Sequence, residues 1–448
     1  MAGKITRRAF SSGVLAGAVA MTRRSTLGAL GANEKVGVGV IGVGNRGDQL
    51  IDAFKQQPDC QFTAICDVYQ PHIDLALKKV GGNPFVTTDY RKLLERKDVD
   101  VVVIATPDHW HALQFIDACK AGKDVYVEKP LSLTIREGQL MVQAARKYNR
   151  ITQVGTQRRS SAICQKAIEI VRSGQIGKVT AARCFHIRNE TPYGLGNPAD
   201  SDPPPGLDWD MWLGPAPYVK YNENRGMYKF RWFRPYSGGQ LTNFGTHYID
   251  LIQWAIGQDA PKGVFAIGGR YVVPDNRDVP DTMEAIWEYD GVLVTFSQFN
   301  GNGAPGTAVG SAVEIRGTEG TVYCGGDRLE VVPETQYVED IPATGPILRA
   351  SRKRVGTRKV GPQISERGSV DGDPPHARNF LDCVKSRKET NCPVEVGHRS
   401  TSTTLLANLA YDRKRYLLWD AEKEEFTNDP EANKLLHYEY RAPWKLEL

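Results

Sequence analysis

Residues 35–47 read KVGVGVIGVGNRG, and the reading of this stretch decides the fold. Val36, Val38, Val40 and Ile41 form a short β-branched run suited to a buried strand. Gly42-Val43-Gly44-Asn45-Arg46-Gly47 then spells G-x-G-x-x-G. Gly42 permits the tight turn out of the strand, Gly44 lets backbone approach a pyrophosphate, and Gly47 lets the next helix pack close to the sheet. That helix would offer its unpaired N–H groups, from Asn45 and Arg46 onward, to the anion. A second strand, Gln61–Cys66, ends at Asp67, twenty residues past Gly47, where a carboxylate would meet the ribose hydroxyls of a dinucleotide.

Working outward, strands and helices alternate. Helices are expected at 71–80, 89–96, 109–121 and 134–148, with strands at 100–105, 124–127 and 151–154. The alternation predicts a doubly wound parallel sheet, whose ligands lie beyond the strands' carboxyl ends. Gly42–Gly47, Asp67, Thr106-Pro107 through His111, and Glu128-Lys129-Pro130 all fall at such ends. Past Gly155 the pattern changes to a helix at 160–173, a long loop at 189–222, a helix at 240–256 and then closely spaced strands. Asp290-Gly291 marks a hairpin between two of these strands. Two helices, 374–387 and 398–415, come before a polar tail ending in aromatics. The expected fold is α/β: a Rossmann domain at 34–157, then an α/β domain with a large, mostly antiparallel open sheet at 158–425, and a tail at 426–448.

The chain has 448 residues and a net charge of +5, but Lys4, Arg7, Arg8, Arg23 and Arg24 account for that excess. No nucleic-acid partner is therefore expected, and the basic run 349–367, which lacks interleaved aromatics, reads as a contact loop. Arg7-Arg8 precede a short, weakly apolar stretch from Ala9 to Met21, too short to span a bilayer. This resembles a twin-arginine leader over residues 1–33, cleaved after Ala18–Ala20 or Ala32, and predicts an exported, periplasmic protein with no stable membrane insertion. The eight cysteines form no C-x-x-C and read as buried small hydrophobes, so neither a disulfide framework nor a zinc site is expected.

Two positions stand out for chemistry. Lys129 emerges at a sheet end, where an ammonium can hold a reacting hydroxyl and stabilise alkoxide charge; Pro130 keeps it out of helix. Asn243, His247 and Asp250 are spaced to share one helical face, and His247 there suits a general base or a satisfied interfacial histidine. His109 and His111 at i, i+2 do not share a face, so no metal is expected. Trp209, Trp212, Trp232 and Tyr236, with Arg231 and Arg234 among them, suit either sugar stacking or a packed loop core.

Together the motifs VGVGVIGVGNRG (36–47), ATPDHWHA (105–112), AGKDVYVEKP (121–130), SGQIGKV (173–179), GGQLTNFGTHYIDL (238–251) and HARNFLDCVKSRK (376–388) resemble the glucose–fructose oxidoreductase, inositol dehydrogenase and MocA family, in its exported bacterial branch. The resemblance implies bound NAD, with NADP disfavoured by Asp67, a sugar, sugar-derivative or cyclitol substrate, and a homo-oligomer, dimer or tetramer. It implies Lys129 and His247 as the catalytic pair, Asp250 as a further acid, and His111, Gln157 and Arg158 along the nicotinamide and substrate side. Many members carry aspartate where this chain has Asn243, which would shift the proton relay towards Lys129 or Asp250. A tightly held cofactor admits a second activity, a glycosidase that oxidises transiently, eliminates and returns the hydride. A non-catalytic sugar-binding protein is the third possibility.

Overall fold

A computed structural model of the chain describes residues 35–337 and 357–448. The leader at 1–33 and residues 349–356 of the basic run 349–367 lie outside the described residues.

The strands β1 (Val36–Ile41), β2 (Cys60–Cys66), β3 (Phe85–Thr87), β4 (Val101–Ile104), β5 (Asp124–Val127) and β6 (Thr152–Val154) form one parallel sheet in the order β3-β2-β1-β4-β5-β6. The helices α1 (Asn45–Lys55), α2 (Gln70–Val80), α3 (Tyr90–Leu94), α4 (Asp108–Lys120) and α5 (Ile135–Lys147) connect them. Both faces are covered, so β1 and β4 are buried at every residue, which is why they read as continuous apolar runs. α5 starts where its sequence says it should: Thr134 caps the Glu137 N–H, and the Glu137 carboxylate returns to the Thr134 N–H. The winding reverses between β1 and β4, which opens a crevice at their carboxyl ends.

The second region contains α6 (Ala162–Arg172), β7 (Val179–Ile187), α7 (Trp209–Leu213), α8 (Thr246–Ile256), β8 (Gly263–Gly269), β9 (Thr282–Tyr289), β10 (Val292–Phe299), β11 (Val313–Gly317), β12 (Gly320–Cys324), β13 (Arg328–Tyr337), β14 (Thr357–Val360), β15 (Ile364–Arg367), α9 (Asp373–Ser386), α10 (Val394–Arg413), β16 (Leu417–Asp420), β17 (Glu425–Phe426) and α11 (Pro430–Asn433). Its 11-stranded sheet runs β14-β13-β12-β11-β7-β10-β9-β8-β16-β17, with β15 also on β13. Every pair is antiparallel except β7 with β10. Side chains of α6, α8 and α10 bury its inner face in one core. The short strands β3 and β14 to β17 carry too few residues for a period-2 pattern and were not expected from sequence.

The chain does not stay on one side of residue 157. α9 packs back on the first sheet: Phe380 meets Phe54 edge-on at 6.3 Å, and Arg378 holds Asp59 at 2.6 and 2.9 Å. The polar tail also returns. Trp444 packs edge-on against Trp110 at 4.8 Å, Arg441 holds Asp210 at 2.6 Å, and the Tyr440 hydroxyl donates to Glu137, whose carboxyl burial pushes up to about 7. The described cysteines are all free, and all but the half-buried Cys60 are buried.

Candidate active site

A cavity of about 430 Å³ opens at the β1/β4 reversal. Its floor is the glycine turn. Gly42 has φ +81°, a region that side chains rarely adopt, and a Cβ there would meet the Thr106 backbone at 2.8 Å. Gly44 and Asn45 line the cavity, with α1 beginning at Asn45. Gly47 lies behind the turn, where a Cβ would come within 2.0 Å of the Gly42 carbonyl oxygen. At the end of β2 the Asp67 carboxylate accepts from the Val43 N–H at 2.8 Å and the Tyr69 N–H at 3.0 Å, so it braces the turn while facing the cavity. His72 stands 3.4 Å from it. A turn that only glycine can fill, an open helix N-terminus and a fixed carboxylate fit a dinucleotide: Gly42 to Arg46 would hold the pyrophosphate, and Asp67 the ribose hydroxyls. Asp67→Ala is expected to weaken NAD binding by about 10- to 100-fold, the loss of a charge-assisted pair of bonds, and to narrow the preference over NADP. Titrating both nucleotides checks this.

Arg46 is committed to the protein. Its guanidinium bonds Glu128 at 2.8 Å and Asp373 of α9 at 2.6 and 2.7 Å. Glu128 also accepts from the Lys129 N–H at 3.1 Å. This chain of charges ties α1, the end of β5 and α9 into one wall. The Lys129–Pro130 peptide is cis. The Lys129 amine donates to both the carbonyl oxygen and the Oδ1 of Asn243, each at 2.9 Å. Burial, joined by the nearby Arg231 and Arg46 cations and opposed by Glu128, pushes the Lys129 amine down to about 8.

The expected helix at 240–256 is split. Leu241–Gly245 is a π turn and α8 begins at Thr246. π turns pull carbonyls out of the regular ladder and recur at functional sites, and here the Asn243 carbonyl faces Lys129. Gln240 accepts from the Asn243 amide at 3.1 Å, which turns Oδ1 towards the lysine. His247 is 7% exposed, lines the same cavity, and among the described residues its Nδ1 has no hydrogen-bond partner. Burial, then the Lys129, Arg158 and Arg46 charges, holds its imidazole well below its usual range, so it is neutral. Thr106, Pro107 and Gln157 also line the cavity; the Thr106 hydroxyl donates to Gln114, and Gln157 Oε1 is buried with no hydrogen-bond partner among the described residues.

Several sequence expectations need correction. Asp250 does not join His247. It is 1% exposed and paired with Arg159 at 2.8 Å, because a buried carboxylate needs a cation. His111 does not face the cofactor: its ring nitrogens meet the carbonyls of Pro130 and Thr106, both at 2.9 Å. Arg158 stacks on Tyr248 instead of reaching the cavity. Trp232 and Tyr236 sit in a packed loop core with Trp209 and Trp212, and of the four only Trp212 also lines the cavity, so the loop-core reading is the one the structure shows for Trp209, Trp232 and Tyr236. Sequence reasoning passed over His72 and Tyr228, which do line the cavity, and gave no individual role to Asp108 and Arg231, which line it as well. Asp108 begins α4 directly after the noted Thr106-Pro107, and that proximity was the available signal.

Comparison with known proteins follows the same lines. The family model described as "Oxidoreductase family, NAD-binding Rossmann fold" matches residues 36–156. Its companion, "Oxidoreductase family, C-terminal alpha/beta domain", matches 178–292 and 357–446. A glycosyl hydrolase family 109 protein of Shewanella sp. (strain MR-4) is 41% identical over 120 residues, 25% of this chain and 26% of its own length. An alpha-N-acetylgalactosaminidase of Shewanella oneidensis is 42% identical over 112 residues, 23% of this chain and 24% of its own. The chain thus spans about a quarter of the length of these curated relatives. A levoglucosan dehydrogenase solved with NADH and levoglucosan superposes with a TM-score of 0.61 at 19% identity, covering 85% of this chain and 98% of that one, a likeness of fold.

Proposed function

This chain belongs to the Gfo/Idh/MocA oxidoreductase family with its NAD-binding Rossmann domain, and from that premise we propose that it oxidises a hydroxyl of a sugar, sugar derivative or cyclitol. The observation that carries the reading is the Lys129–Asn243 pair beside a neutral His247. NAD, when bound, supplies the acceptor for the hydride that leaves the substrate's carbinol carbon. The hydroxyl proton goes to Lys129. A neutral amine has two N–H bonds and one lone pair, and both N–H groups already have acceptors on Asn243. The lone pair is therefore left for the substrate hydroxyl. Once protonated, the ammonium has a third N–H to hold the new carbonyl oxygen. His247 stays neutral and orients a hydroxyl instead of storing the proton.

Position 243 thus faces the lysine rather than the histidine, which gives the departure from aspartate a meaning: asparagine provides two acceptors without a charge that would keep Lys129 protonated. Activity is expected to rise with pH through about 8, the Lys129 value, and level off above it. Asn243→Asp would raise the Lys129 pKa, move that limb up by about one unit and lower the rate at pH 7 about tenfold. A pH profile of NADH formation reads both effects, and an unmoved limb in the variant rules out Lys129 as the base.

A second reading follows from the glycosyl hydrolase relatives: transient oxidation, elimination of an aglycone and return of the hydride. Release of p-nitrophenol from p-nitrophenyl glycosides without net NADH selects it, and NADH accumulation selects the dehydrogenase. The leader sequence supports export with cofactor retained. The outer face of the second sheet exposes Ile267 at 61% and Leu293 at 50%, which supports a homo-oligomer. Sedimentation tests that state.

A further inference from the structure

The lining of the cavity contains a cation that acts on the reaction above only through its field on Lys129. Arg231 lies in the one-turn 3₁₀ segment Lys229–Trp232 and lines the cavity together with Lys129, Asn243 and His247. Its guanidinium sits 4.6 Å from the ring centres of both Tyr228 and Phe230 and donates to the Tyr228 carbonyl at 2.7 Å. Two rings and one carbonyl fix the planar fork. Among the described residues no carboxylate pairs with it. The acids that act on it most are already engaged: Asp108 accepts from the Ser237 hydroxyl at 2.5 Å, and Glu128 holds Arg46. Burial weakens the Arg231 cation and also favours the protonated form of Asp108. The site therefore presents a pre-oriented, unpaired guanidinium beside the base. A partly buried cation without a counter-ion is costly, and the site recovers that cost when an anion arrives.

We infer that the substrate is a sugar with a negatively charged substituent, a carboxylate as in a uronic acid or a phosphate, held by the Arg231 fork while a neighbouring hydroxyl meets Lys129. A planar guanidinium accepts either group through two parallel N–H bonds. The inference rests on the sugar-oxidising reading, and the two can fail separately.

The test uses the full-length protein loaded with NAD. Methyl glycosides of glucose and galactose are compared with those of glucuronic and galacturonic acid, and glucose 6-phosphate with glucose, by NADH formation and by calorimetric titration. The charged sugars are expected to exceed their neutral counterparts by about tenfold or more in kcat/KM, the scale of one charge-assisted contact. Whichever of uronide and phosphate is preferred identifies the acid. In Arg231→Gln the charged-to-neutral ratio falls to about one, mainly through KM. Equal or better turnover of neutral sugars by the wild type overturns the inference and leaves the oxidoreductase reading standing. Selective binding of charged sugars without NADH formation does the reverse. If Arg231→Gln loses NAD affinity while the ratio is unchanged, the guanidinium serves the cofactor and the inference is wrong. If no sugar of the panel binds or reacts, both readings fall.

Discussion

Lys129→Met is expected to lower sugar-dependent NADH formation by about 10³-fold, the range of a lost general base that also steadies the developing charge. Methionine keeps the unbranched stem and removes the nitrogen. The contacts assigned to the dinucleotide, at Gly42, Asn45 and Asp67, do not include the lysine amine, so NAD affinity should stay close to that of the wild type. The fold should hold as well. Lys129 is a buried amine whose charge burial disfavours by more than Glu128 favours it, so its removal lifts a desolvation cost while leaving two oxygens of Asn243 without that donor. Equilibrium NAD binding, melting temperature and initial rates separate these effects. A variant that retains more than about a tenth of the activity would show that the proton goes elsewhere.

Gly47→Ala carries the second large effect. A single methyl at this position would come within 2.0 Å of the Gly42 carbonyl oxygen. The oxygen is backbone, held in a turn whose own φ of +81° only glycine accommodates well. Neither partner can swing aside as a long side chain would, so α1 must move away from β1. Overpacking of this kind costs about 1–3 kcal/mol, and the displaced element is the one that presents N–H groups to the pyrophosphate. The expected result is a loss of up to about 100-fold in NAD affinity, since about 2.7 kcal/mol, near the top of that range, is about a hundredfold, together with a lower melting temperature. NAD titration followed by protein fluorescence measures the first and calorimetry the second. Unchanged affinity would mean that the turn is not the anchor of the cofactor.

How far the sequence could be read depended on the range of the forces involved. β1, α1, β4 and α5 were legible because each announces itself locally, through apolar and β-branched runs, a glycine turn and the helical spacing of the apolar residues of α5. Lys129 was legible for the same reason: strand ends and a following proline fix where it emerges. His247 was placed in the cavity wall by spacing, but its partners were not. The helical face of Asn243, His247 and Asp250 assumed a uniform 3.6-residue period, which the π turn at Leu241–Gly245 breaks. Asp250 was drawn off by Arg159, and His111 by two carbonyl groups. Both outcomes follow from the requirement that buried polar groups be satisfied, and no linear spacing encodes which partner meets it. Arg231 looked like one basic residue among the loop aromatics. Only the tertiary arrangement shows that Tyr228 and Phe230 hold it and that, among the described residues, no carboxylate pairs with it.

The return of α9 and the tail to the first sheet has a consequence for how this protein acquires its form. The ion pair of Arg46 with Asp373 closes a loop of 327 residues, and the Tyr440–Glu137 bond one of 303. Chain entropy must be lost over those distances before the contacts reward it, so the wall that fixes Arg46 belongs to the late, high-contact-order part of folding. A fragment cut at residue 157 would contain the whole nucleotide motif. It would also leave Arg46 and Asp59 without Asp373 and Arg378, and expose Phe54 and Tyr126 where Phe380 now packs. The nucleotide motif is contiguous in sequence, but the unit that folds around it is not, so competence to hold NAD and completion of the second region's fold are one cooperative event.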